Sequence, residues 1–184
     1  PGGKSFTVAE QMENEGNLIS CDIYEHKIEL MEEGAERLGI SMMECKVKDA
    51  AEKEEEHELF DRILVDAPCS GLGLMRKKPD IRLNKDGNEI DSLTNIQKEI
   101  LDNAAGYVKP GGVLVYSTCT LCRKENEKNL EWFLKNHPEF EAEDITKFLS
   151  AEWKVETAEK GYITLLPHKT GTDGFFISRM RRKD

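Results

Sequence analysis

Two short apolar segments separated by a helix-length stretch constrain the fold of this chain more than any other feature. Residues 60–66 and 113–117 are nearly continuous runs rich in Val, Leu and Ile, as expected for strands covered on both faces. Residues 92–108 between them have the length of a long helix, which Lys109-Pro110-Gly111-Gly112 is predicted to end. Strand, helix and strand in this order predict an α/β fold with a mostly parallel sheet.

The rest of the chain continues the alternation of helices and strands. The last two predicted strands have no helix between them, so they should form an antiparallel pair joined by a Gly-rich turn. Residues 72–91 have little periodicity and are predicted to be a functional loop. The remaining predicted elements are helices at residues 5–14, 26–38 and 126–135, and strands at residues 17–22, 42–47, 162–166 and 175–180.

Charge and cysteine content restrict the class of protein. A net charge of -10 over 184 residues argues against a dedicated nucleic-acid clamp, although local basic clusters decide binding. Five cysteines, an odd number, fit a reducing cytosol better than a disulfide framework. The longest apolar stretches are too short to span a bilayer. We therefore expect a soluble, cytoplasmic protein without a membrane partner.

Polar residues follow two neighbouring strands, where ligands of open parallel sheets bind. The strand ending in Asp66 continues as Ala-Pro-Cys-Ser, and the strand ending in Ser117 continues as Thr-Cys-Thr. Cys69 and Cys119 therefore belong to loops in which polar neighbours favour exposed, reactive thiols. Cys119 and Cys122 form a C-x-x-C pair, but no second pair or histidine pair follows, so no metal site is predicted.

Acids and glycines mark further strand ends. Asp22 closes the second strand, where a carboxylate can bind the hydroxyls of a ribose or can cap the following helix; its position leaves both interpretations open. Asp49 follows the third strand, and as a lone acid it is more often solvent-facing. Gly3-Lys4-Ser5 matches the end of a phosphate-binding P-loop, so a nucleoside-triphosphatase is the alternative function.

Several segments taken together indicate a family. PGGKS (residues 1–5), DAPCSGLG (66–73) with KKPDIR (77–82), STCT (117–120) and GTDGFF (171–176) resemble motifs of the Nol1/Nop2/Sun (NSUN) family of RNA 5-methylcytosine methyltransferases. The resemblance is strongest to the bacterial RsmB type, which acts on small-subunit ribosomal RNA. It accounts for both loop cysteines, which the P-loop interpretation does not. It implies a Rossmann-like class I fold, S-adenosylmethionine as the cofactor and ribosomal RNA as the partner.

The resemblance also implies a role for each matching residue. Cys119 is the implied nucleophile and Cys69 the assisting cysteine. Asp66 is implied to lie between the reactive end of the cofactor and the target base, and Lys4 is an implied active-site lysine. The residues implied to bind S-adenosylmethionine are Pro1, Gly2, Gly3, Lys4, Asp22, Lys27, Asp49 and Asp66.

Two cysteines suit methylation at carbon 5 of cytosine. Addition of a thiolate at carbon 6 makes carbon 5 nucleophilic, and a base must then remove the carbon 5 proton before the thiolate leaves. DNA cytosine methyltransferases would predict Cys69 as the nucleophile, but they carry Pro-Cys-Gln where this chain has Pro-Cys-Ser. A basic cluster follows the Cys69 loop and either holds RNA phosphates or serves surface solubility: Arg76, Lys77, Lys78 and Arg82.

The opening residues bear on domain organisation. The family's first motif begins with a strand before PGGK, and RNA-binding regions lie upstream of it. We therefore predict that residues 1–184 are one methyltransferase catalytic domain whose first strand and RNA-binding region precede Pro1. A third hypothesis, besides the methyltransferase and the nucleoside-triphosphatase, is that this chain is an inactive remnant of the enzyme.

Overall fold

A computed structural model describes residues 1–54, 59–83, 87–153 and 155–184, without the side chains of residues 82 and 152. The chain divides into two compact units, Pro1–Lys53 and Glu54–Asp184. The prediction of one catalytic domain therefore stays a prediction, and each unit is described by itself.

The first unit alternates helices and strands as predicted. Its helices are α1 (Gly3–Gln11) and α2 (Glu25–Leu38), and its strands are β1 (Leu18–Asp22) and β2 (Met43–Val47). The two strands are parallel, with Leu18 opposite Met43. Both strands therefore end at the same edge, where Asp22 lies.

Helix α2 shows why this sequence adopts a helix. Ile28, Met31 and Ala35 recur at intervals of three and four residues and are all buried, so they form one apolar face. The helix ends at Leu38 and Gly39 follows in the left-handed conformation, as the sequence predicts.

The second unit is built around a five-stranded sheet. Its elements are β3 (Phe60–Asp66), α3 (Gly87–Tyr107), β4 (Val108–Thr118), α4 (Glu127–Asn136), β5 (Phe140–Ala142), β6 (Tyr162–Leu165), α5 (Pro167–Thr170) and β7 (Phe175–Arg182). The strand order is β3-β4-β7-β5, and β6 also pairs with β7. β3 and β4 are parallel, whereas β7 is antiparallel to β4, β5 and β6. The antiparallel pairing therefore extends beyond the predicted C-terminal strand pair, which is itself confirmed.

Strand β4 is longer than predicted. Residues 109–112, predicted as the turn that ends helix α3, lie within the strand. They occupy an irregularity in its pairing with β3, because Phe60 faces Val108 while Arg62 already faces Val113. The Pro-Gly-Gly sequence therefore forms a bulge rather than a loop, and the strand begins directly after the helix.

Strand β3 is less covered than its apolar sequence predicts. Only Val65 is buried among its residues, and Leu64 is 45% exposed. Among the described strands, β3 pairs with β4 alone. The prediction that this strand is covered on both faces is therefore wrong for this chain.

The segment predicted as one long loop, residues 72–91, contains regular structure. Short 3₁₀ helices span Leu72–Leu74 and Pro79–Leu83, and α3 begins at Gly87, earlier than predicted. Residues 84–86 of the predicted loop lie outside the described residues. α5 likewise occupies part of the predicted Gly-rich turn between β6 and β7. In the described part of the chain, no helix has the length and apolar character needed to cross a membrane.

Candidate active site

The loops after β3 and β4 bring two cysteine sulfurs into contact. Asp66 and Ser117 face each other at the ends of these parallel strands, and the N–H of Ala67 donates to the Ser117 carbonyl at 3.0 Å. Beyond this point the Sγ atoms of Cys69 and Cys119 lie 3.3 Å apart. The structure therefore brings together the two cysteines that the sequence singles out.

The two thiols share a hydrogen bond in a partly buried setting. The contact with Cys119 raises the pKa of the Cys69 thiol well above its usual range, and burial raises it further. Either sulfur can donate the hydrogen bond between them, so one thiol of the pair can hold a proton beside the other.

A buried carboxylate lies behind the cysteine pair. Glu125 is fully buried, and its Oε1 accepts hydrogen bonds from the Ser70 N–H at 2.8 Å and the Gln97 amide at 3.0 Å. Its Oε2 accepts from the Ser70 hydroxyl at 2.5 Å and the Thr120 hydroxyl at 3.3 Å. The two hydroxyls are themselves 2.8 Å apart. The carboxylate therefore joins the loop after β3 to the loop after β4.

A second layer of buried side chains supports this carboxylate. The Tyr116 hydroxyl donates to the Glu125 carbonyl at 2.6 Å, and the Asn129 amide donates to the Gln97 side-chain oxygen at 2.8 Å. The Gln97 amide also donates to the Pro68 carbonyl at 2.8 Å, just before Cys69. Burial raises the pKa of Tyr116, so its hydroxyl keeps its proton.

Asn126 fixes the loop that carries Cys119. Its amide donates to the Thr120 carbonyl at 3.0 Å, and its oxygen accepts from the Thr118 hydroxyl at 2.6 Å. Thr118 and Thr120 flank Cys119, so one buried side chain holds both neighbours of this cysteine.

A third loop closes around the site through two glycines. The N–H of Gly73 donates to the Cys119 carbonyl at 3.0 Å, and the N–H of Gly174 donates to the Gly73 carbonyl at 2.8 Å. A Cβ atom at Gly73 would lie 2.1 Å from the Gly174 carbonyl oxygen, which leaves no room for any other residue. This close approach explains Gly73 of the DAPCSGLG segment and Gly174 of the GTDGFF segment.

Asp66 lies at the strand end nearest this pair of loops. Its Oδ1 accepts a hydrogen bond from the Ser117 hydroxyl at 3.1 Å, and its side chain is exposed. An exposed carboxylate at this strand end is accessible to a ligand.

In the first unit, Asp22 makes two local contacts. Its Oδ2 lies 3.1 Å from the Lys27 ammonium, and its Oδ1 accepts from the Tyr24 N–H at 3.1 Å. Tyr24 is itself the N-cap residue of α2, and no side chain caps this helix. The interpretation of Asp22 as the helix cap is therefore wrong. A carboxylate has about four acceptor positions, so Asp22 retains capacity to bind hydroxyl groups.

The opening loop has one glycine that its conformation requires. Gly2 has a φ of 86°, and a Cβ there would lie 2.6 Å from the Phe6 ring. A Cβ at Gly3 would meet nothing within 4 Å, so space is open beside its backbone. Pro1 and Lys4 are exposed.

Asp49 contacts its own loop. Its Oδ1 accepts from the Ala51 N–H at 2.9 Å, and the residue is exposed, as expected for a lone acid after a strand.

The residues of the basic cluster after the Cys69 loop differ in their contacts with acids. The Lys77 ammonium lies 2.6 Å from the Asp173 carboxylate, so its charge is partly compensated. Arg76 and Lys78 are exposed. The side chain of Arg82 lies outside the described residues.

The buried network is the part of the site that sequence reasoning missed. Glu125 and Asn126 lie in the strongly polar run Arg-Lys-Glu-Asn-Glu-Lys, which is typical of a solvated helix start, yet both are fully buried. Gln97 and Asn129 are likewise buried polar positions on α3 and α4. The only available signal is that Glu125 and Asn126 follow Cys119 closely along the chain.

No metal-binding cluster occurs in the part of the chain that the structure describes, where no group of three His, Cys, Asp or Glu side chains could hold an ion. Cys122, the second cysteine of the C-x-x-C pair, contributes its backbone instead. Its N–H donates to the Thr120 hydroxyl at 3.2 Å.

Comparison with known proteins relates this chain to curated relatives over its whole length. It is 45% identical to the "Probable ribosomal RNA small subunit methyltransferase B" of Bacillus subtilis, covering 100% of this chain and 41% of that protein. It is 34% identical to the "Ribosomal RNA small subunit methyltransferase F" of Escherichia coli, covering 99% of this chain and 38% of that protein. The chain thus spans about two fifths of the length of these relatives.

Solved structures show the same relationship. The structure of NSun6 from Pyrococcus horikoshii, solved with SFG, matches with a TM-score of 0.87 and 31% identity, covering 100% of this chain and 46% of that chain. This likeness confirms the predicted Rossmann-like α/β methyltransferase fold. The family model described as 16S rRNA methyltransferase RsmB/F matches residues 1–181, and the chain therefore belongs to the RsmB/F methyltransferase family.

Proposed function

We propose that the protein transfers a methyl group from S-adenosylmethionine to carbon 5 of a cytosine in small-subunit ribosomal RNA, through a covalent bond between Cys119 and carbon 6. The observation that carries the proposal is the 3.3 Å contact between Cys69 and Cys119 at the ends of two parallel strands. Membership of the RsmB/F family supports the substrate class.

Residues of the first unit fit the cofactor. Asp22 is partly exposed and retains acceptor capacity for the ribose hydroxyls, and Lys27 holds its orientation through the ion pair. Gly2 and Gly3, with Pro1 and Lys4 on either side, offer backbone without bulky side chains. Asp49 is assigned to the adenine. SFG, the ligand in the NSun6 structure, is an analogue of S-adenosylmethionine.

Cys119 performs the covalent step in this proposal. Its thiolate attacks carbon 6, and the electron pair of the carbon 5–carbon 6 double bond moves away from carbon 6 into the conjugated system of carbon 5, carbon 4 and ring nitrogen 3, which makes carbon 5 able to attack an electrophile. The cofactor, when bound, supplies the methyl group. Loss of the carbon 5 proton to a base then restores the double bond as the carbon 6–sulfur bond breaks.

Cys69 assists the release of Cys119. Its pKa is raised by the contact with Cys119 and by burial, so it holds a proton beside the sulfur that must leave. Donation of this S–H to the departing sulfur favours bond breaking. The 3.3 Å separation of the two sulfurs is a hydrogen-bonding distance for thiols.

The family resemblance assigns Asp66 and Lys4 to the reaction. The Ser117 hydroxyl holds one oxygen of Asp66, and the exposed carboxylate can hydrogen-bond the amino group or ring nitrogen of the cytosine. Such a bond favours addition of the thiolate. Lys4, an exposed residue of the first turn of α1, is assigned to the active site by the family resemblance.

The substrate must present an unstacked base. A cytosine can reach both the thiolate and the cofactor only after it leaves its stack, which costs least in single-stranded or looped RNA. Arg76, Lys77, Lys78 and Arg82 are assigned to phosphates of the RNA. Because bacterial ribosomal RNA is assembled in the cytoplasm, we place the activity there, and the odd number of cysteines agrees with a reducing compartment.

The test uses the full-length protein, labelled S-adenosylmethionine and a small-subunit rRNA transcript. We expect 5-methylcytosine in the RNA, and a transcript made with 5-fluorocytidine should trap a covalent complex because fluorine cannot leave as a proton. Mass spectrometry of the trapped peptide should find the adduct on Cys119. An adduct on Cys69 would reverse the assignment of the two cysteines.

Calorimetry separates the remaining hypotheses. The full-length protein should bind S-adenosylmethionine and not ATP, whereas ATP binding without S-adenosylmethionine binding would favour the nucleoside-triphosphatase. The same titration on residues 1–184 alone tests the inactive-remnant hypothesis. Binding to the full-length protein but not to this chain would support the remnant.

A further inference from the structure

Glu125 contacts the residue that directly follows each of the two cysteines. Ser70 follows Cys69 and Thr120 follows Cys119, and both hydroxyls donate to Oε2 of Glu125. The backbone N–H of Ser70 also donates to Oε1. One carboxylate therefore holds two loops at the position where their sulfurs meet.

The partners of this carboxylate indicate a geometric role. All four hydrogen bonds come from neutral groups, namely one backbone N–H, one amide and two hydroxyls. Burying a carboxylate is costly unless such donors compensate it, so the arrangement must be specific. Glu125 contacts neither sulfur in any of its hydrogen bonds.

Glu125 is itself held from behind. Its carbonyl accepts from the Tyr116 hydroxyl at 2.6 Å and from the Asn129 amide at 3.2 Å. Gln97 links its carboxylate to the Pro68 carbonyl, one residue before Cys69. The carboxylate is therefore a fixed point on which both loops depend.

We infer that Glu125 is a positioning residue that sets the separation and orientation of the Cys69 and Cys119 sulfurs. This inference rests on the proposed function only for its effect on methylation. The geometric claim can be tested without any methyl transfer.

The hydrogen-bond pattern makes Glu125→Gln a discriminating variant. The amide oxygen can replace Oε1, whose partners are the obligatory donors Ser70 N–H and Gln97. The amide nitrogen can replace Oε2, whose partners are hydroxyls that can turn and accept. Glu125→Gln therefore preserves every contact without the charge, whereas Glu125→Ala removes them all.

The first measurement is steady-state methylation of the rRNA transcript by the full-length protein. We expect Glu125→Ala to lower kcat by about 100-fold, the scale of a misplaced reacting group. KM for RNA should stay within about threefold, because no RNA contact is lost. Glu125→Gln should restore kcat to within about fivefold of the wild type, since its contacts persist. Equal losses in both variants would show that the charge acts directly and would overturn the inference.

The second measurement reports the sulfur geometry alone. Diamide takes the two thiol hydrogens as a disulfide forms, so its rate of linking Cys69 to Cys119 depends on how the sulfurs are held. Peptide mass mapping follows the product. We expect Glu125→Ala to slow the linkage by about tenfold or more and Glu125→Gln to match the wild type. Equal rates in all three proteins would overturn the inference, whatever the methylation assay shows.

A control variant separates positioning from general destabilisation. Ile163→Ala opens a cavity in the apolar cluster of Ile145, Ala158 and Leu165, none of which donates a hydrogen bond to Glu125. It should lower the melting temperature while leaving kcat and the diamide rate within about twofold of the wild type. If Ile163→Ala slowed the diamide linkage as much as Glu125→Ala, the loss would reflect stability, and the inference would fail.

Discussion

The cysteine loops of the second unit and the end of β1 in the first unit present acidic side chains in opposite surroundings. Glu125 is fully buried and accepts four hydrogen bonds from neutral groups. Asp22 has a side chain that is 26% exposed, and its contacts are an ion pair and one backbone N–H from nearby residues.

The difference in burial matches two requirements of a group-transfer site, namely fixed geometry for reacting groups and accessibility for ligand-binding groups. Reacting groups must keep a fixed geometry, which buried and multiply bonded neighbours provide. Ligand-binding groups must stay accessible and retain acceptor capacity until the ligand arrives. In the proposed function, fixed geometry is the requirement on Cys69 and Cys119, and accessibility is the requirement on Asp22.

Removal of the nucleophile tests the fixed region most severely. Cys119→Ala should lower methylation by about 10⁴-fold or more and abolish the covalent RNA complex, because the proposed adduct forms on the sulfur that this change removes. Radiolabel transfer and denaturing gels measure both effects. Cys122→Ala, in the same C-x-x-C segment, is the matched control and should stay near wild-type activity. Substantial methylation by Cys119→Ala would show that Cys119 is not the nucleophile, and the fixed geometry around it would then have no role in the reaction.

Removal of the second sulfur should give a different failure. Cys69→Ala should lower turnover by on the order of 10³-fold, because the proton donor beside the departing sulfur is lost. A covalent complex with unmodified RNA should accumulate, visible as a retarded band that carries Cys119 bonded to the base. Low turnover of Cys69→Ala without such a band would show that Cys69 acts at or before formation of the adduct and not in its release.

Close packing between the loops can be tested through stability. Gly73→Ala should lower the free energy of unfolding by about 2 kcal/mol, because its Cβ would meet the Gly174 carbonyl oxygen at 2.1 Å. Urea denaturation measures the change. Gly87→Ala is the matched control, since a Cβ there meets nothing within 4 Å, and it should change stability by less than about 1 kcal/mol. Equal stability of the two variants would mean that the loop carrying Gly174 can move away from residue 73 at little cost in free energy.

The order of elements and the strand-end residues of both regions were largely predictable from the sequence. The periodicity of α2 predicts a helix because burial of one face imposes a repeat on the sequence, and the apolar runs of β3 and β4 have the length and composition of strands. Cys69 and Cys119 follow strand ends, and parallel pairing alone brings strand ends together. Asp22 was singled out for the same reason.

The buried network could not be predicted, because burial of polar residues leaves no periodic signal. Glu125 and Asn126 sit in a run that is indistinguishable from a solvated helix start. Their burial depends on partners distant in sequence, such as Ser70 and Gln97. The strand position of residues 109–112 was missed likewise, because Pro and Gly indicate a turn locally while the pairing with β3 decides the bulge.

Asp22→Ala tests the accessible region. The variant should weaken binding of S-adenosylmethionine by about 20-fold, the scale of lost hydrogen bonds to a charged group, while kcat at saturating cofactor stays near that of the wild type. Calorimetry on the full-length protein measures the affinity. Glu44→Ala removes an exposed acid of the same unit that pairs with Lys46, and it should change affinity by less than about twofold. A fall in kcat with unchanged affinity would contradict the cofactor-binding role of Asp22 and indicate that it acts in the reaction step.

The smallest expected effect concerns the exposed basic residues Arg76 and Lys78. Replacing both by alanine should weaken RNA binding by roughly fivefold and reduce the slope of log affinity against log salt by about 1.5, since phosphate contacts release counterions. The control replaces Lys128 and Lys160, which pair with acids on exposed surface, and thus makes the same change in net charge. Filter binding of the rRNA transcript at several salt concentrations distinguishes the two pairs. Equal slopes would show that Arg76 and Lys78 act through net charge alone, and the RNA-contacting surface would then have to lie elsewhere.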